Sequence, residues 1–83
     1  MKINHNTSLE ELSRIAKETI KELEQDEEFI VKDLFRGFEW GRIAKGNRTK
    51  LGSMFFNFAE NEGKKFITGI GKTPQNQQKY RKL

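Results

Sequence analysis

The sequence has no cysteine, one histidine and one proline among its 83 residues. Without cysteine, neither disulfide bonds nor thiolate metal sites contribute to the fold. The single histidine, His5, has no partner residues at the spacing of a metal site, and the acidic residues form no paired arrangement in a predicted cleft. The sequence therefore predicts a protein that is not an enzyme and has no catalytic residues, no metal site and no cofactor.

Long apolar runs are also absent from the sequence. No segment approaches the roughly 20 apolar residues that cross a membrane, and residues 1–6 lack the apolar core of a signal peptide. We therefore expect a cytoplasmic protein with no membrane association and no small-molecule substrate. Folded domains usually contain about 50 to 250 residues, so we expect a flexible N-terminus at residues 1–6 and a single domain at residues 7–83.

Charge is unevenly distributed along the chain, although the net charge is only +4. Residues 1–31 contain four basic and eight acidic side chains, which gives a net charge of −4. Residues 32–83 contain twelve basic and four acidic side chains, which gives a net charge of +8. Because such an excess of cations attracts polyanions, the two parts of the chain are predicted to have different roles.

The first predicted helix, at about residues 8–25, has a capping signal at its start. Thr7 or Ser8 stands three residues before a glutamate, which is the pattern of a capping box. The stripe of apolar residues either covers the core of its own domain or, because it is long for so small a domain, forms a homodimer interface. The stripe consists of Leu9, Leu12, Ile15, Ala16, Ile20 and Leu23.

A second amphipathic pattern, at about residues 47–61, predicts the helix on which the functional interpretation depends. Gly63 is predicted to end this helix. Apolar residues at i, i+3, i+4 and i+7 form one face: Leu51, Met54, Phe55 and Phe58. The opposite face carries hydroxyl, amide and cationic groups: Thr49, Lys50, Ser53 and Asn57.

The remaining segments predict short strands and helical turns. Residues 29–31 favour a brief strand, and residues 32–44 favour a short helical region that glycines interrupt. Residues 64–72 and 78–82, joined by a turn at residues 73–76, predict a hairpin. The order helix, strand, helix, helix, strand, strand predicts an α+β fold of the winged helix-turn-helix type, with a wing at about residues 64–82.

Three aromatic residues differ in their expected burial. Trp40 and Tyr80 are expected in the core, because a small domain needs bulky side chains there. Phe56 lies at the edge of the apolar stripe of its helix and is expected to be partly exposed, where it either packs under the wing or forms a contact patch. A phosphate-binding loop at residues 69–73 is excluded, because the first glycine of that motif would fall at Phe66.

The polar helix face and the hairpin carry side chains suited to DNA. Arginine, lysine and asparagine pair with base edges in the major groove, and short hydroxyl side chains bind phosphate. The alternatives without DNA binding are an ordinary solvated helix face and a basic tail that favours solubility. The candidate DNA contacts are Asn47, Arg48, Thr49, Lys50, Ser53 and Asn57 on the helix, and Lys64, Lys65, Lys72, Lys79 and Arg81 on the wing.

Short motifs in the second part of the chain resemble those of a known family. The chain is similar there to a small family of Gram-positive bacterial proteins that is classed as a domain of unknown function and often lies near mobile elements. The resemblance covers about residues 28–83, implies a compact winged-helix-like domain of bacterial or phage origin, and supplies no biochemical activity. The motifs are Phe29-x-x-Lys32-Asp33-Leu34-Phe35, then Trp40, then Arg48-x-x-Leu51-Gly52-x-x-Phe55-Phe56, and Asn76-Gln77-Gln78-x-Tyr80.

Together these patterns favour double-stranded DNA as the partner. We expect a small regulator or accessory factor of a bacterial mobile element, with the helix at residues 47–61 in the major groove and the wing on phosphates. The alternative is a winged-helix adaptor that docks a protein through the first predicted helix and the region of Phe56. In that case the basic face binds an acidic protein in place of DNA.

Overall fold

The computed structural model describes residues 3–83, and these residues form three α-helices and a three-stranded antiparallel sheet. The predicted α+β class is confirmed. Within these residues no helix is long and apolar enough to cross a membrane. The elements, in chain order, are α1 (Leu9–Thr19), β1 (Glu28–Phe29), α2 (Gly37–Arg42), α3 (Lys45–Glu60), β2 (Ile67–Lys72) and β3 (Gln78–Lys82).

Helix α1 begins as predicted and ends earlier than predicted. The Ser8 hydroxyl accepts a hydrogen bond from the Glu11 backbone N–H at 3.1 Å, which caps the helix. After α1 and a 3-10 turn at Ile20–Glu22, the chain reverses at Asp26, whose φ of 72° lies in the left-handed region. The Asp26 N–H then donates to the Lys82 carbonyl at 2.8 Å. The helical segment does not reach residue 25, because Leu23 is already extended with φ −77° and ψ 145°, and the reversal places β1 beside β3.

The predicted hairpin is confirmed. Strand β3 lies in the middle of the sheet, in the order β1-β3-β2, and pairs antiparallel with both neighbours. The turn between β2 and β3 includes Asn76 at φ 65°, and Gly71 at φ 104° lies within a register shift of β2. Three helices with a β1-β3-β2 sheet are compatible with a winged-helix-like arrangement.

The connection between β1 and α3 differs from the sequence prediction in its boundaries. A 3-10 turn covers Val31–Leu34, where the Asp33 carboxylate accepts from the Ile30 N–H at 3.0 Å. Gly37 is the first residue of α2. Helix α3 starts at Lys45, two residues earlier than predicted, and ends at Glu60 before Gly63 is reached.

The core lies between the helices and one face of the sheet. Phe29, Phe55 and Tyr80 pack with ring centroids 5.1–6.3 Å apart. The prediction that Tyr80 is a core residue is confirmed, whereas Trp40 is only half-buried at the edge of the core. The apolar stripe of α1 packs into this core through Leu12, Ile15, Ala16 and Ile20.

One apolar residue, Met54, was predicted incorrectly. Met54 was assigned to the buried face of its helix, but its side chain is 36% exposed. It lies one turn before Phe58, at the margin of the face that Leu51 and Phe55 bury. Phe66 is 52% exposed, because strand β2 begins only at the following residue, Ile67, and Ile67 takes the core position.

The segment before α1 is joined to α2. Ile3 is buried in the core, its N–H donates to the Glu39 carboxylate at 3.0 Å, and its carbonyl accepts from Arg42 at 2.9 Å. Glu39 is only 5% exposed and lies 3.7 Å from Arg36. The sequence placed residues 1–6 in a flexible N-terminus, and of these Met1 and Lys2 lie outside the described residues.

Candidate nucleic-acid interface

A groove of about 870 Å³ runs between α3 and the β2–β3 hairpin, and we call it the α3–hairpin groove. Helix α3 contributes one wall: Arg48, Thr49, Gly52, Ser53, Phe56 and Asn57. The hairpin contributes the other wall: Lys72, Asn76, Gln77, Gln78 and Tyr80. The segment after β1 and helix α2 close one end with Ile30, Val31, Lys32 and Trp40.

The periodicity of α3 determines which of its side chains face this groove. Leu51, Phe55 and Ala59 recur every four residues and are buried in the core. Side chains two positions away lie about 200°, or slightly more than half a turn, around the helix from that row. Thr49 and Ser53 are therefore exposed along the groove, and Asn57 continues the same row one turn later. A continuous row of hydroxyl and amide groups results.

The groove is electropositive. Three cations, Lys32, Arg48 and Lys72, line it, and no carboxylate does so among the residues that the structure describes. Helix α3 itself has no acidic side chain before Glu60. A concave surface that collects charge of one sign concentrates the field in the groove and attracts anions. The arrangement is suited to a phosphate backbone or another polyanion.

Arg48 is held by neighbouring groups of the protein. Its guanidinium carbon lies 5.7 Å from the ring centroid of Trp40, and one of its terminal nitrogens donates to the Gly41 carbonyl at 3.2 Å. Its Nε is buried and has no hydrogen-bond partner among residues 3–83. Arg48 therefore joins α3 to the end of α2 and shapes the wall of the groove, although the sequence had assigned it to base recognition.

Phe56 and Gly52 form an open apolar part of the α3 wall. The Phe56 side chain is 42% exposed, in agreement with its predicted position at the edge of the stripe. Gly52 lies one helical turn before it, and a Cβ built on Gly52 meets no atom within 4 Å. A glycine inside a helix costs about 0.5–1 kcal/mol relative to alanine, so Gly52 keeps space beside the Phe56 ring at a cost in helix stability.

Only part of the predicted contact set meets in the groove. Asn47 and Lys50 are on α3 and do not line the groove, although Lys50 is exposed. The groove contains five of the predicted residues: Arg48, Thr49, Ser53, Asn57 and Lys72.

Lys64 and Lys65 lie outside the hairpin strands. They belong to a 3-10 turn, Glu62–Lys65, because the chain bends at Gly63 before β2 begins. Lys64 lines a smaller cleft of about 210 Å³ beside Ile67 and Leu83.

Lys79 and Arg81 are on β3 but point away from the groove. Because strand side chains alternate and Tyr80 faces the core, its two neighbours lie on the other face of the sheet. There the Lys79 ammonium is 2.9 Å from the Glu28 carboxylate, and Arg81 is 3.6 Å from it. The hydrogen bond from Lys79 lowers the pKa of the Glu28 carboxyl below its ordinary value. Glu28 thus partly neutralises these two cations.

Sequence reasoning did not assign several lining residues to the interface, among them Lys32, Trp40 and Gly52. Lys32 follows β1, Trp40 is in α2, and Gly52 is on α3. Lys32 and Trp40 reach the groove through the tertiary fold, and local spacing contains no signal for that. Gly52 could have been identified from the sequence, because a glycine in the middle of an amphipathic helix is unfavourable and often has a packing or functional role. Throughout residues 3–83 there is no group of three or more His, Asp or Glu side chains that would hold a metal ion.

The comparison with known families agrees with the resemblance that the motifs carry. A family model described as "Domain of unknown function (DUF1413)" matches residues 14–82. The match confirms the prediction of a small family of unknown function. No curated protein and no solved structure matches the chain.

Proposed function

Because the chain belongs to the family described as a domain of unknown function (DUF1413), whose description assigns no activity, we propose a function from the geometry. The protein is a winged helix-turn-helix domain that binds double-stranded DNA through α3 and the β2–β3 hairpin. Its role is that of a small regulator or accessory factor of a bacterial mobile element. The observation that carries the DNA-binding proposal is the α3–hairpin groove, with three cations and no carboxylate among its described lining residues.

The shape of α3 supports insertion into a major groove. The helix has 16 residues and is therefore about 24 Å long, and the major groove of B-DNA is about 12 Å wide and admits one helix. Thr49, Ser53 and Asn57 form the row that would meet the DNA, with the cation Lys50 beside it. Asparagine pairs with adenine and lysine with guanine, whereas the hydroxyl groups bind phosphates or bases.

The hairpin supports a second contact with the same duplex. Lys72 lies at the end of β2, and the turn beyond it carries Asn76 and Gln77, all on the groove side. Cations and amides at a hairpin tip bind phosphates or enter a minor groove. Lys79 and Arg81 contribute less to this proposal, because Glu28 already pairs with both.

The salt dependence of DNA binding tests the proposal. Each phosphate that a lysine neutralises contributes about 0.9 to the slope of log K against log salt concentration. We expect Lys50→Ala and Lys72→Ala each to weaken binding of a labelled duplex and to reduce the slope by about one. Lys21→Ala is the matched control, because Lys21 is an exposed lysine of the 3-10 turn after α1, does not line the groove and pairs with Glu18 at 3.5 Å. No salt-dependent binding of any duplex at low ionic strength would refute the proposal.

A protein-interaction adaptor is the second candidate, and the exposure of Phe56 favours it. Aromatic side chains that protrude from a surface are common anchors in protein interfaces. Docking through α1 would have to use its polar face, because its apolar stripe is buried in the domain itself. A homodimer through α1 would likewise have to use the polar face of that helix. A partner that remains bound after nuclease treatment and is lost with Phe56→Ala would favour the adaptor.

A further inference from the structure

Phe56 is a poor match for a fully paired duplex, although it lines the groove beside the row of Thr49, Ser53 and Asn57. In the major groove, paired bases present hydrogen-bonding edges, and the methyl group of thymine is the apolar feature that they offer. An aromatic ring beside cations and amides is the combination by which proteins hold unpaired bases, since every base has a face that stacks on a ring. The exposed ring therefore indicates a contact that an intact base pair does not make.

The space beside this ring is open on the side of the groove. Gly52, one turn earlier on α3, has no side chain, and a Cβ built there would meet no atom within 4 Å. Any larger residue at this position would project into the same part of the groove, because residues four apart are neighbours on a helix. Trp40 offers no equivalent surface, because the Arg48 guanidinium lies over its ring at 5.7 Å.

The opposite wall supplies groups that recognise a nucleotide. The amides of Asn76 and Gln77 and the ammonium of Lys72 line the hairpin side of the groove. Amides hydrogen-bond to base edges that pairing leaves free, and the lysine is placed for the adjoining phosphate. The groove volume of about 870 Å³ lies within the usual range of ligand sites, about 300–1,000 Å³.

We infer that the α3–hairpin groove holds one unpaired base of the bound DNA, stacked on Phe56 in the space beside Gly52. This inference rests on the proposed DNA binding and deepens it: the preferred target is a duplex with an extrahelical nucleotide. The Lys72 ammonium binds the phosphate next to that nucleotide.

The test compares three DNA duplexes of one sequence by fluorescence anisotropy: fully paired, with a one-nucleotide bulge, and with an abasic residue in the bulge. Stacking of a base on an aromatic side chain predicts about 5- to 150-fold tighter binding of the bulged duplex than of the paired one. The abasic bulge keeps the backbone and its flexibility and removes the base. It is expected to bind like the paired duplex.

Two variants remove the proposed site in different ways. Phe56→Ala deletes the stacking surface, and Gly52→Leu fills the space beside it. Both are expected to abolish the preference for the bulge, measured within each variant as the ratio of its affinities for bulged and paired DNA. Met54→Ala and Gly46→Leu are the matched controls, because both positions are exposed on α3 and do not line the groove. They are expected to keep the full preference, and circular dichroism verifies the fold of all four variants.

The outcomes separate this inference from the proposed function. Equal affinity for paired and bulged DNA, with binding intact, overturns the inference alone, as does a preference that the abasic bulge or the Phe56→Ala variant retains. Absence of salt-dependent binding to all three DNAs overturns both proposals. Displacement of the bulged DNA by a Glu-rich peptide at comparable concentration also overturns the inference, because the groove would then bind a different ligand.

Discussion

Gly63→Ala is expected to destabilise the protein, because the position of a Cβ at this residue is already occupied. A Cβ built on Gly63 lies 2.5 Å from Cε2 of Phe58, 2.7 Å from its Cζ and 2.8 Å from its Cδ2. Carbon atoms in ordinary contact are about 3.5–4.0 Å apart, so the overlap is about 1 Å. The partly buried ring has neighbours on two sides, since it packs on the buried Phe55 at 5.6 Å and lies under the Lys17 ammonium at 5.0 Å.

The magnitude follows from two opposing effects. Overpacking of a well-packed site costs about 1–3 kcal/mol. Replacing glycine restricts the unfolded chain and thereby raises the free energy of unfolding by about 0.4–1 kcal/mol. The net loss in the free energy of unfolding is therefore about 1–2 kcal/mol. For a domain of this size each kcal/mol lowers Tm by about 4–8 °C.

Urea denaturation followed by circular dichroism measures this loss, and Gly52→Ala is the matched control. The same substitution at Gly52 meets open space inside a helix and is expected to stabilise the protein by about 0.5–1 kcal/mol. In a Phe58→Leu background the cost of Gly63→Ala should become small, because the obstructing ring atoms are gone. The steric explanation fails if Gly63→Ala raises the urea midpoint, or if its cost is unchanged in that background.

Three further predictions concern the cap, the core and the N-terminal segment. Ser8→Ala removes the acceptor for the Glu11 N–H and should lower the free energy of unfolding by about 1 kcal/mol in urea titrations; an unchanged midpoint would contradict the cap. Burial raises the pKa of Tyr80, the only tyrosine, to about 12. Because the pKa of Tyr80 in the folded protein lies above the ordinary value of 10.0, the stability that its buried neutral phenol contributes is complete below pH 10 and is lost as the pH rises to about 12. Ultraviolet difference absorbance should show tyrosinate forming near pH 12. Tyrosinate formation near pH 10 in folded protein would contradict the prediction. Glu39→Ala leaves the buried N–H of Ile3 without its acceptor and should cost about 1–3 kcal/mol in thermal melts, whereas Glu10→Ala, at an exposed position, should have little effect.

The features that the sequence predicted correctly depend on short-range periodicity. The stripe of α1 and the core positions Leu51 and Phe55 follow from the repeat of 3.6 residues per turn. The hairpin follows from two short strand-like segments around a turn that contains proline. Tyr80 is buried because strand alternation places it toward the core.

The features that the sequence missed depend on contacts between distant parts of the chain. Met54 has the spacing of a core residue, but the core does not extend far enough around α3 to cover it. The pairing of Glu28 with Lys79 and Arg81 requires knowledge that β1 lies beside β3. A prediction from local sequence patterns treats every cation of the hairpin as unpaired. The strand order of the sheet determines which of these cations already pair with a carboxylate.

For the candidate site, the sequence identified the correct helix face and missed the enclosure around it. Thr49, Ser53 and Asn57 follow from helical periodicity, and all three line the groove. The contribution of Lys32 depends on a sheet and a helix that bring distant segments to one place. The local hydrogen bond from Arg48 to Gly41 depends on how α2 ends, and spacing alone does not give that geometry.

The middle strand of the sheet, β3, is also the last of the described elements in the chain. During synthesis the ribosome therefore releases β1 and β2 before either has a strand to pair with. The core face of the helices stays open over the same interval, because Tyr80 arrives with β3. At about 5–20 residues per second, the five residues Gln78–Lys82 take less than about a second to make. Their emergence joins both edges of the sheet and closes the core in one late step.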